Sequence, residues 1–567
     1  MPKTTPSTSI SSADIGRLLQ EIERKDAALA SETESVIAFK DRRIEALQEQ
    51  LRLMVHAKFG RGNESLPTPD GGWVGQYVIG PDGQLIYVEA ASLPEPQAHS
   101  AEAPARSKPV RGHGRAPLPE NLPRKVKIVD LPEAQKICAC CGEVMCSIGS
   151  ESSERLRFTR PEVWVQRTER LKYACSTCSE NGVSIAPVPE EFIDKGLAGL
   201  DLILWIIVSK YVDHLPLYRI RNQLKRWTHG ALDLTEATMI GWIDEVFRAL
   251  ELIQKANHRQ LSCMGWTHMD ETHLKVQTGE KDSQGNGKTS THQLWVLLGR
   301  DRCGDTMGVS FTHEDTRSTD AAERLMKGVQ GLILTDRYTG YEGALERLHK
   351  ASEAAGQKLE VVHAHCWAHV RRKFNEALLV GHKDARHAMD LIASIYCAEK
   401  ACQDAVKTIA DIDEREERLL EHRKKVLRPE VDAFFTWVGA TDGALQPKRF
   451  QDALRYAANA EAGLRVILEQ AGCDLDNNVI ERAIRTVAIG RKNWMFAGSP
   501  KGAQRLACLL SILGSCRILS INIDQYLPEV LMEIKRRRRE GRKDFDDLTP
   551  WRWKQARDAA RDAATRA

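Results

Sequence analysis

The chain has 567 residues, too many for one ordinary core, and length alone suggests three or four domains. Its 81 basic and 78 acidic residues leave a formal charge of +3, so overall charge does not announce a nucleic-acid binder. Residues 1–12 are polar and small, without the apolar centre of a signal peptide. The longest apolar stretch, 200–208, carries Asp201 and is far too short to span a bilayer. The expectation is a soluble, cytoplasmic chain with no membrane partner. Six of the 14 cysteines fall between Cys138 and Cys178, which reads as one metal site in a reducing compartment and not as a disulfide framework.

Taken in chain order, residues 13–58 come first. Ile15, Ile22, Leu29 and Val36 recur every seven residues, and Ile37, Ile44 and Leu51 continue one position out of step. This is a coiled-coil pattern with a register skip, or else an amphipathic helix folded back on the body. Residues 62–124 are a linker rich in Pro, Gly, Ser and Ala, interrupted by two apolar runs at 76–79 and 85–88 that can pair as a hairpin. Residues 126–190 hold the clustered cysteines, with strands expected at 163–167 and 170–173.

Within 195–255, helical segments at 197–212, 217–227 and 235–252 follow one another across tight turns, and Thr235 is placed as an N-cap. Such a trio suits a helix-turn-helix module, as it suits many other helical bundles. From 258 to 500 the texture changes to alternation. Strands are expected at 266–276, 292–298, 307–312 and 332–335, with a helix over 318–329. An apolar run at 359–362 precedes a basic helix near Trp367, and 380–465 returns to helical composition. Residues 501–567 form a basic C-terminal segment, expected to be partly disordered from Lys535, with Trp551 and Trp553 as an anchor.

Two knuckles stand out chemically. Cys138 with Cys141, and Cys175 with Cys178, are two C-x-x-C pairs, and four thiolates complete a closed, structural Zn²⁺ site. A redox dithiol or unrelated buried cysteines are the alternatives, and Cys140 and Cys146 are spare.

Three carboxylates matter more. Asp270 lies inside the first strand, where an unpaired charge is costly, and Asp336 ends an apolar strand. Glu481 sits on a helix at the edge of the Ile480, Ile484, Val487 stripe. Brought together, such acids hold Mg²⁺ or Mn²⁺ for phosphoryl transfer. Each also has a plain explanation: Asp336 as a strand end, Glu481 as a partner of Arg485 one turn on. Basic runs at Arg371-Arg372-Lys373, Arg491-Lys492 and Lys535-Arg536-Arg537-Arg538-Arg539 can neutralise phosphate or form solvated helix faces.

The order of motifs resembles the transposases of the insertion sequence 66 family. The matching pieces run from Lys-Phe-Gly-Arg at 58–61 through the two knuckles to Val208-Ser-Lys-Tyr-Val-Asp-His-Leu-Pro-Leu-Tyr218. They continue with His268-Met-Asp-Glu-Thr272, Thr335-Asp-Arg-Tyr-Thr-Gly-Tyr341 and Cys366-Trp-Ala-His-Val-Arg-Arg-Lys-Phe374. Asp476-Asn-Asn-Val-Ile-Glu-Arg-Ala-Ile-Arg485 and Gly490-Arg-Lys-Asn-Trp-Met-Phe-Ala-Gly498 complete the set.

The resemblance implies a multidomain α/β protein whose RNase H-like core carries a DDE triad of Asp270, Asp336 and Glu481 and a helical insertion over about 380–465. It implies metal-dependent nicking at transposon ends, then strand transfer into target DNA. Cys366 and His369 match a C-x-x-H signature and are expected to support the site or position substrate. Arg371, Arg372, Lys373, Arg491 and Lys492 are expected to touch DNA. A homo-oligomer is expected, as are small accessory proteins of the same element, with the chain on the nucleoid when DNA-bound. This sequence departs from the family pattern at Glu271, often an aspartate, and at His273, where proline is common. Strand alternation should turn Glu271 away from Asp270.

Overall fold

The computed structural model describes residues 161–174 and 183–566, apart from 282, 286 and 443–445, together with two short strands at 76–79 and 85–88. The coiled-coil reading of 13–58, the linker reading of 62–124, and Cys138, Cys141, Cys175 and Cys178 lie outside the described residues, except for those two strands.

The strands β1 (Gln76–Ile79) and β2 (Leu85–Val88) pair antiparallel with Tyr77 opposite Tyr87, as the apolar runs predict. They belong to a compact unit of residues 61–162, separate from the unit that holds 163–567. In that second unit β3 (Lys172–Ala174) pairs with β4 (Val183–Ile185). This corrects the expected ribbon strands. Residues 163–167 form no strand, and the partner lies beyond the second knuckle.

Three helices follow: α1 (Leu200–Tyr211), α2 (Leu217–Trp227) and α3 (Glu236–Ser262). Thr235 caps α3, its side chain accepting from the Thr238 N–H at 3.1 Å. α3 runs ten residues past the end expected from sequence, because its second half stays amphipathic. Ile253, Ala256 and Leu261 are buried there, and Asn257 donates through Nδ2 to the Val309 carbonyl at 3.0 Å.

The sheet contains β5 (Trp266–Lys281), β6 (Gly287–Arg300), β7 (Thr306–Glu314), β8 (Gly331–Thr335) and β9 (Val361–His365). Their spatial order is β7-β6-β5-β8-β9. The first three are antiparallel, while β8 runs parallel to β5 and β9 parallel to β8. Crossovers between parallel strands usually run through helices, and α4 (Thr319–Met326) and α5 (Thr339–Ala354) supply them. Gly331 opens β8 at φ +71°, and a Cβ there would meet the Gly265 carbonyl oxygen, so only glycine allows β8 to start this close to β5.

Alternation sorts side chains to two faces. Leu274, Val276, Leu294, Val296 and Leu298 face one core, which they share with α1, α2, α3 and the C-terminal helices. Met269, Trp295 and Leu297 face the other, under α4 and α5. A third core lies under the helices that follow β9: α6 (Trp367–Leu379), α7 (Asp384–Val406), α8 (Ile412–His422), α9 (Arg428–Ala440) and α10 (Lys448–Arg465). A π-helical turn, Arg423–Leu427, joins α8 to α9 and buries Arg423 completely.

The chain then returns to the sheet through α11 (Asn478–Trp494) and ends in α12 (Pro500–Ile518), α13 (Ile523–Arg539) and α14 (Pro550–Arg566). The expectation of a partly disordered tail is therefore wrong. Its charges pair across elements, Lys535 with Asp194, Arg537 with Asp547 and Arg539 with Glu190, and Arg537 also pairs with Glu533 one turn back on its own helix. Trp551 does anchor the end, its indole N–H donating to Gln260 Oε1 at 2.8 Å.

Candidate active site

Asp270, Asp336 and Glu481 arrive on one cleft from three elements. Asp270 sits mid-strand in β5 opposite Val296 of β6, Asp336 is the first residue after β8, and Glu481 lies in the first turn of α11. The cleft is open, about 570 Å³, and also lined by Glu271, Arg317, His369, Arg372 and Arg485. β8 is the parallel neighbour of β5, so its carboxyl end delivers Asp336 beside Asp270.

The environment of Asp270 is the most unusual in the cleft. Burial pushes its carboxyl up to about 8, helped by the nearby charges of Glu271, Asp336 and Glu481 and opposed by the Glu271 N–H, which donates to Oδ1 at 2.8 Å. The oxygens are not drawn into tight contact, however. Among the described residues, three ligand atoms mutually within 4.8 Å occur at His292, His313 and Asp315, not in this cleft.

Arginines occupy the spaces between the acids. Arg317 bonds the Glu271 carboxylate and lies 3.4 Å from Asp336 Oδ2, its guanidinium stacked 3.9 Å over the Tyr338 ring. The Tyr338 N–H donates to Asp336 Oδ1 at 3.1 Å. Glu481 pairs with Arg372 of α6 at 3.4 Å. Glu271 points to the opposite sheet face from Asp270, as alternation requires, where the Tyr341 hydroxyl donates to it. It still borders the cleft at the strand edge, and burial raises its pKa also.

Beneath the acids a polar network fixes the strand-helix geometry. Asn477, buried just before α11, donates through Nδ2 to the Met269 carbonyl at 3.1 Å and accepts from His268 Nδ1 at 2.8 Å. Its backbone N–H donates to Cys366 Sγ at 3.2 Å, and the Cys366 N–H donates to the Thr335 carbonyl at 3.1 Å. His268 Nε2 is 3.3 Å from Asp474, which also binds Arg300. Burial alone would raise Asp474, but His268 and Arg300 together leave it at about 2.

Of the residues singled out from sequence, the structure brings Asp270, Asp336, Glu481, His369 and Arg372 to the cleft and sets Cys366 beneath it. Lys492 is exposed on the last turn of α11. Arg491 lies inward, bonding Thr272 Oγ1 at 3.1 Å and the His273 carbonyl, so it ties α11 to β5. Sequence reasoning missed Arg317 and the roles of Asn477 and His268. The last two lie inside motifs already quoted, whereas Arg317 follows β7 in no recognisable pattern.

A profile described as Transposase IS66 family matches residues 195–505, more than half of the chain. The chain belongs to the IS66 transposase family. Further IS66 profiles cover its N-terminal part. One described as the zinc-finger binding domain of transposase IS66 matches residues 135–179, and one described as Transposase C of IS166 homeodomain matches 46–126. The resemblance read from the motifs is thereby borne out.

Relatives of this IS66 transposase include Sinorhizobium fredii proteins described as uncharacterised protein y4jD and y4qI. The first is 30% identical over 454 residues, 77% of this chain and 81% of that protein. The second is 29% identical over 450 residues, 78% of each. Among solved structures, a chain titled Drosophila P element transposase strand transfer complex aligns at 14% identity with a TM-score of 0.31, covering 56% of this chain and 92% of that one. No described helix is long and apolar enough to cross a membrane.

Proposed function

We propose that the cleft is the catalytic centre of a DDE transposase built on an RNase H-like core, with Asp270, Asp336 and Glu481 as its acids. The observation that carries this reading is their convergence from β5, β8 and α11, with Asp270 pushed up to about 8 by burial and acidic neighbours. The strand order β7-β6-β5-β8-β9, antiparallel then parallel, supports the RNase H-like assignment. The donor set suits a divalent cation. Several hard carboxylate oxygens crowded into one partly buried place destabilise one another until positive charge arrives, which favours Mg²⁺ or Mn²⁺. When bound, such cations supply charge neutralisation at a scissile phosphate and lower the pKa of an attacking hydroxyl.

The chain's own groups prepare that place. The Glu271 N–H orients Asp270, the Tyr338 N–H orients Asp336, and Asn477 pins the start of α11 so that Glu481 faces both. Arg317 and Arg372 offer guanidinium donors beside the acids, positioned to meet a phosphodiester. In the proposed reaction water attacks phosphorus at the transposon end, the P–O3′ bond breaks, and a 3′-hydroxyl is freed. That hydroxyl then attacks a target phosphate and breaks a second P–O3′ bond.

On the same reading, Cys138, Cys141, Cys175 and Cys178 hold structural Zn²⁺, in line with the zinc-finger profile over 135–179. Helices α1 to α3 serve DNA binding, with Arg371, Lys373 and Lys492 as further phosphate contacts. The 13–58 segment pairs chains into at least a dimer, and small proteins of the same element assist.

The test is Mg²⁺-dependent cleavage and joining of labelled DNA ends by wild type and Asp336→Asn. Cleavage and joined products from wild type, with binding but neither product from the variant, is the expected outcome. An equally active variant would end the acid assignment. Cleavage without joining would leave a nuclease.

A further inference from the structure

We propose that His292, His313 and Asp315 form a further metal site, taking a divalent transition metal of the zinc class with one coordination position open to solvent. The three residues come from neighbouring strands by register. His313 lies opposite Leu294, and Gln293 opposite Glu314, so one further step sets Asp315 across from His292. His292, Leu294, His313 and Asp315 then share one sheet face, where directly opposite and diagonal neighbours touch.

The ligand atoms converge. His292 Nδ1 is 2.9 Å from His313 Nε2 and 3.0 Å from Asp315 Oδ1, and His313 Nε2 is 3.8 Å from the same oxygen. A tetrahedral ion about 2.0–2.2 Å from its ligands holds them roughly 3.3–3.6 Å apart, so three small shifts admit one. The rings lie nearly parallel, 15° apart with centroids at 5.1 Å, so the two nitrogens face one another across the gap that an ion would widen. The second nitrogen of His292 is also engaged, Nε2 lying 2.7 Å from Ser290 Oγ. An outer hydrogen bond of this kind orients a metal-binding imidazole and fixes its tautomer.

The histidines are half-buried at the sheet edge, their side chains 12% and 4% exposed, whereas Asp315 is 75% exposed, so solvent or a ligand group can reach the fourth position. Two imidazoles and one carboxylate select zinc-class ions over Mg²⁺. The site is separate from the acid cleft and does not depend on the chemistry proposed there. It lies beside it in one respect: Asp315 is two residues before Arg317, so an ion here would fasten the strand end from which Arg317 reaches Glu271 and Asp336.

The experiment uses the full chain, stripped with chelator, titrated with Zn²⁺ by calorimetry and counted by elemental analysis after desalting. Wild type should retain one zinc more than Asp315→Asn, whose exposed position leaves the sheet intact, while zinc held elsewhere stays equal in both. Ser290→Ala, which keeps all three ligands, should weaken that extra equivalent by about 10–100-fold. Added Co²⁺ should give, beside any bands with thiolate charge transfer from the cysteine knuckles, a further set of d–d bands that is absent in His313→Gln. Identical zinc content and affinity in wild type and Asp315→Asn would overturn the proposal.

Discussion

The Cys366 sulfur accepts the backbone N–H of Asn477 at 3.2 Å, joining the end of β9 to the start of the helix that carries Glu481. Cys366 is buried and its thiol is pushed up to about 12, mainly by desolvation, so it stays protonated and unreactive. In the native protein, iodoacetamide should modify the exposed Cys263, Cys303 and Cys397 and spare Cys366. Cys366→Val should orphan a buried N–H, costing about 1–3 kcal/mol, and loosen Glu481 with loss of cleavage. Rapid native labelling of Cys366, read by peptide mass spectrometry, would contradict its buried role.

Asp270 yields a pH prediction. Its folded pKa, about 8, lies above the ordinary carboxylate value near 3.9, so the folded state prefers the protonated form. Without metal, stability should therefore fall as pH rises from about 4 through 8. A cation must displace that proton, so apparent Mg²⁺ affinity should improve about tenfold per pH unit up to about pH 8 and then level off. Asp270→Asn should remove both dependences while raising the metal-free melting temperature. Calorimetric titration at several pH values checks this, and a flat affinity between pH 6 and 8 would contradict it.

Arg317 supplies positive charge to Glu271 and Asp336. Arg317→Gln should lower metal-free stability by about 1 kcal/mol, a modest figure because the arginine is 40% exposed. Added Mg²⁺ should then stabilise the variant more than it stabilises wild type. Melting curves with and without Mg²⁺ decide the matter; equal gains would mean that Arg317 is not a surrogate for the cation.

Arg423 is fully buried in the helical region between α6 and α11. It pairs with Glu399 at 2.6 Å and donates to the carbonyls of Ile467, Gln470, Ala471 and Cys473. Arg423→Ala leaves the buried Glu399 carboxylate without its charge partner, Gln403 alone still donating to it, and should cost about 3–5 kcal/mol. Lysine should not rescue it, since a single ammonium cannot reproduce the forked donor set. Denaturant unfolding of both variants tests this, and full rescue by lysine would refute the geometric argument.

The run from Lys535 to Arg539 is engaged within the protein, by Asp194, Glu533, Asp547, Glu540 and Glu190. Replacing Arg536 and Arg539 with glutamine should leave the salt dependence of DNA binding unchanged. Each genuine phosphate contact removed would lower the slope by about 1.

Much of this architecture was legible in the chain itself. The strands holding Asp270 and Asp336 announce themselves because apolar residues alternate or run together there, and Thr235 marks a helix start by its capping chemistry. The apolar run at 359–362 only partly overlaps β9, which continues through His363, Ala364 and His365. The tail was misread because a run of arginines looks the same in sequence whether it faces water or acids from distant elements. Arg317 was invisible for a related reason: its partners lie on other strands and only the parallel pairing of β5 with β8 brings them near. The convergence of the three acids followed from motif order, but the hydrogen bonds that hold them, through Asn477 and Cys366, needed coordinates.

The helical region inserted between α6 and α11 also sets a schedule. Glu481 follows Asp336 by 145 residues, and at about 5–20 residues per second a ribosome needs roughly 7–30 s to make that interval. During that time the nascent chain holds two aspartates with no glutamate to complete the cleft. Its last wall arrives only when α11 emerges and is clasped by His268 and Cys366. A chain released early by truncation anywhere before this helix therefore carries an unfinished cleft, however well its sheet has folded.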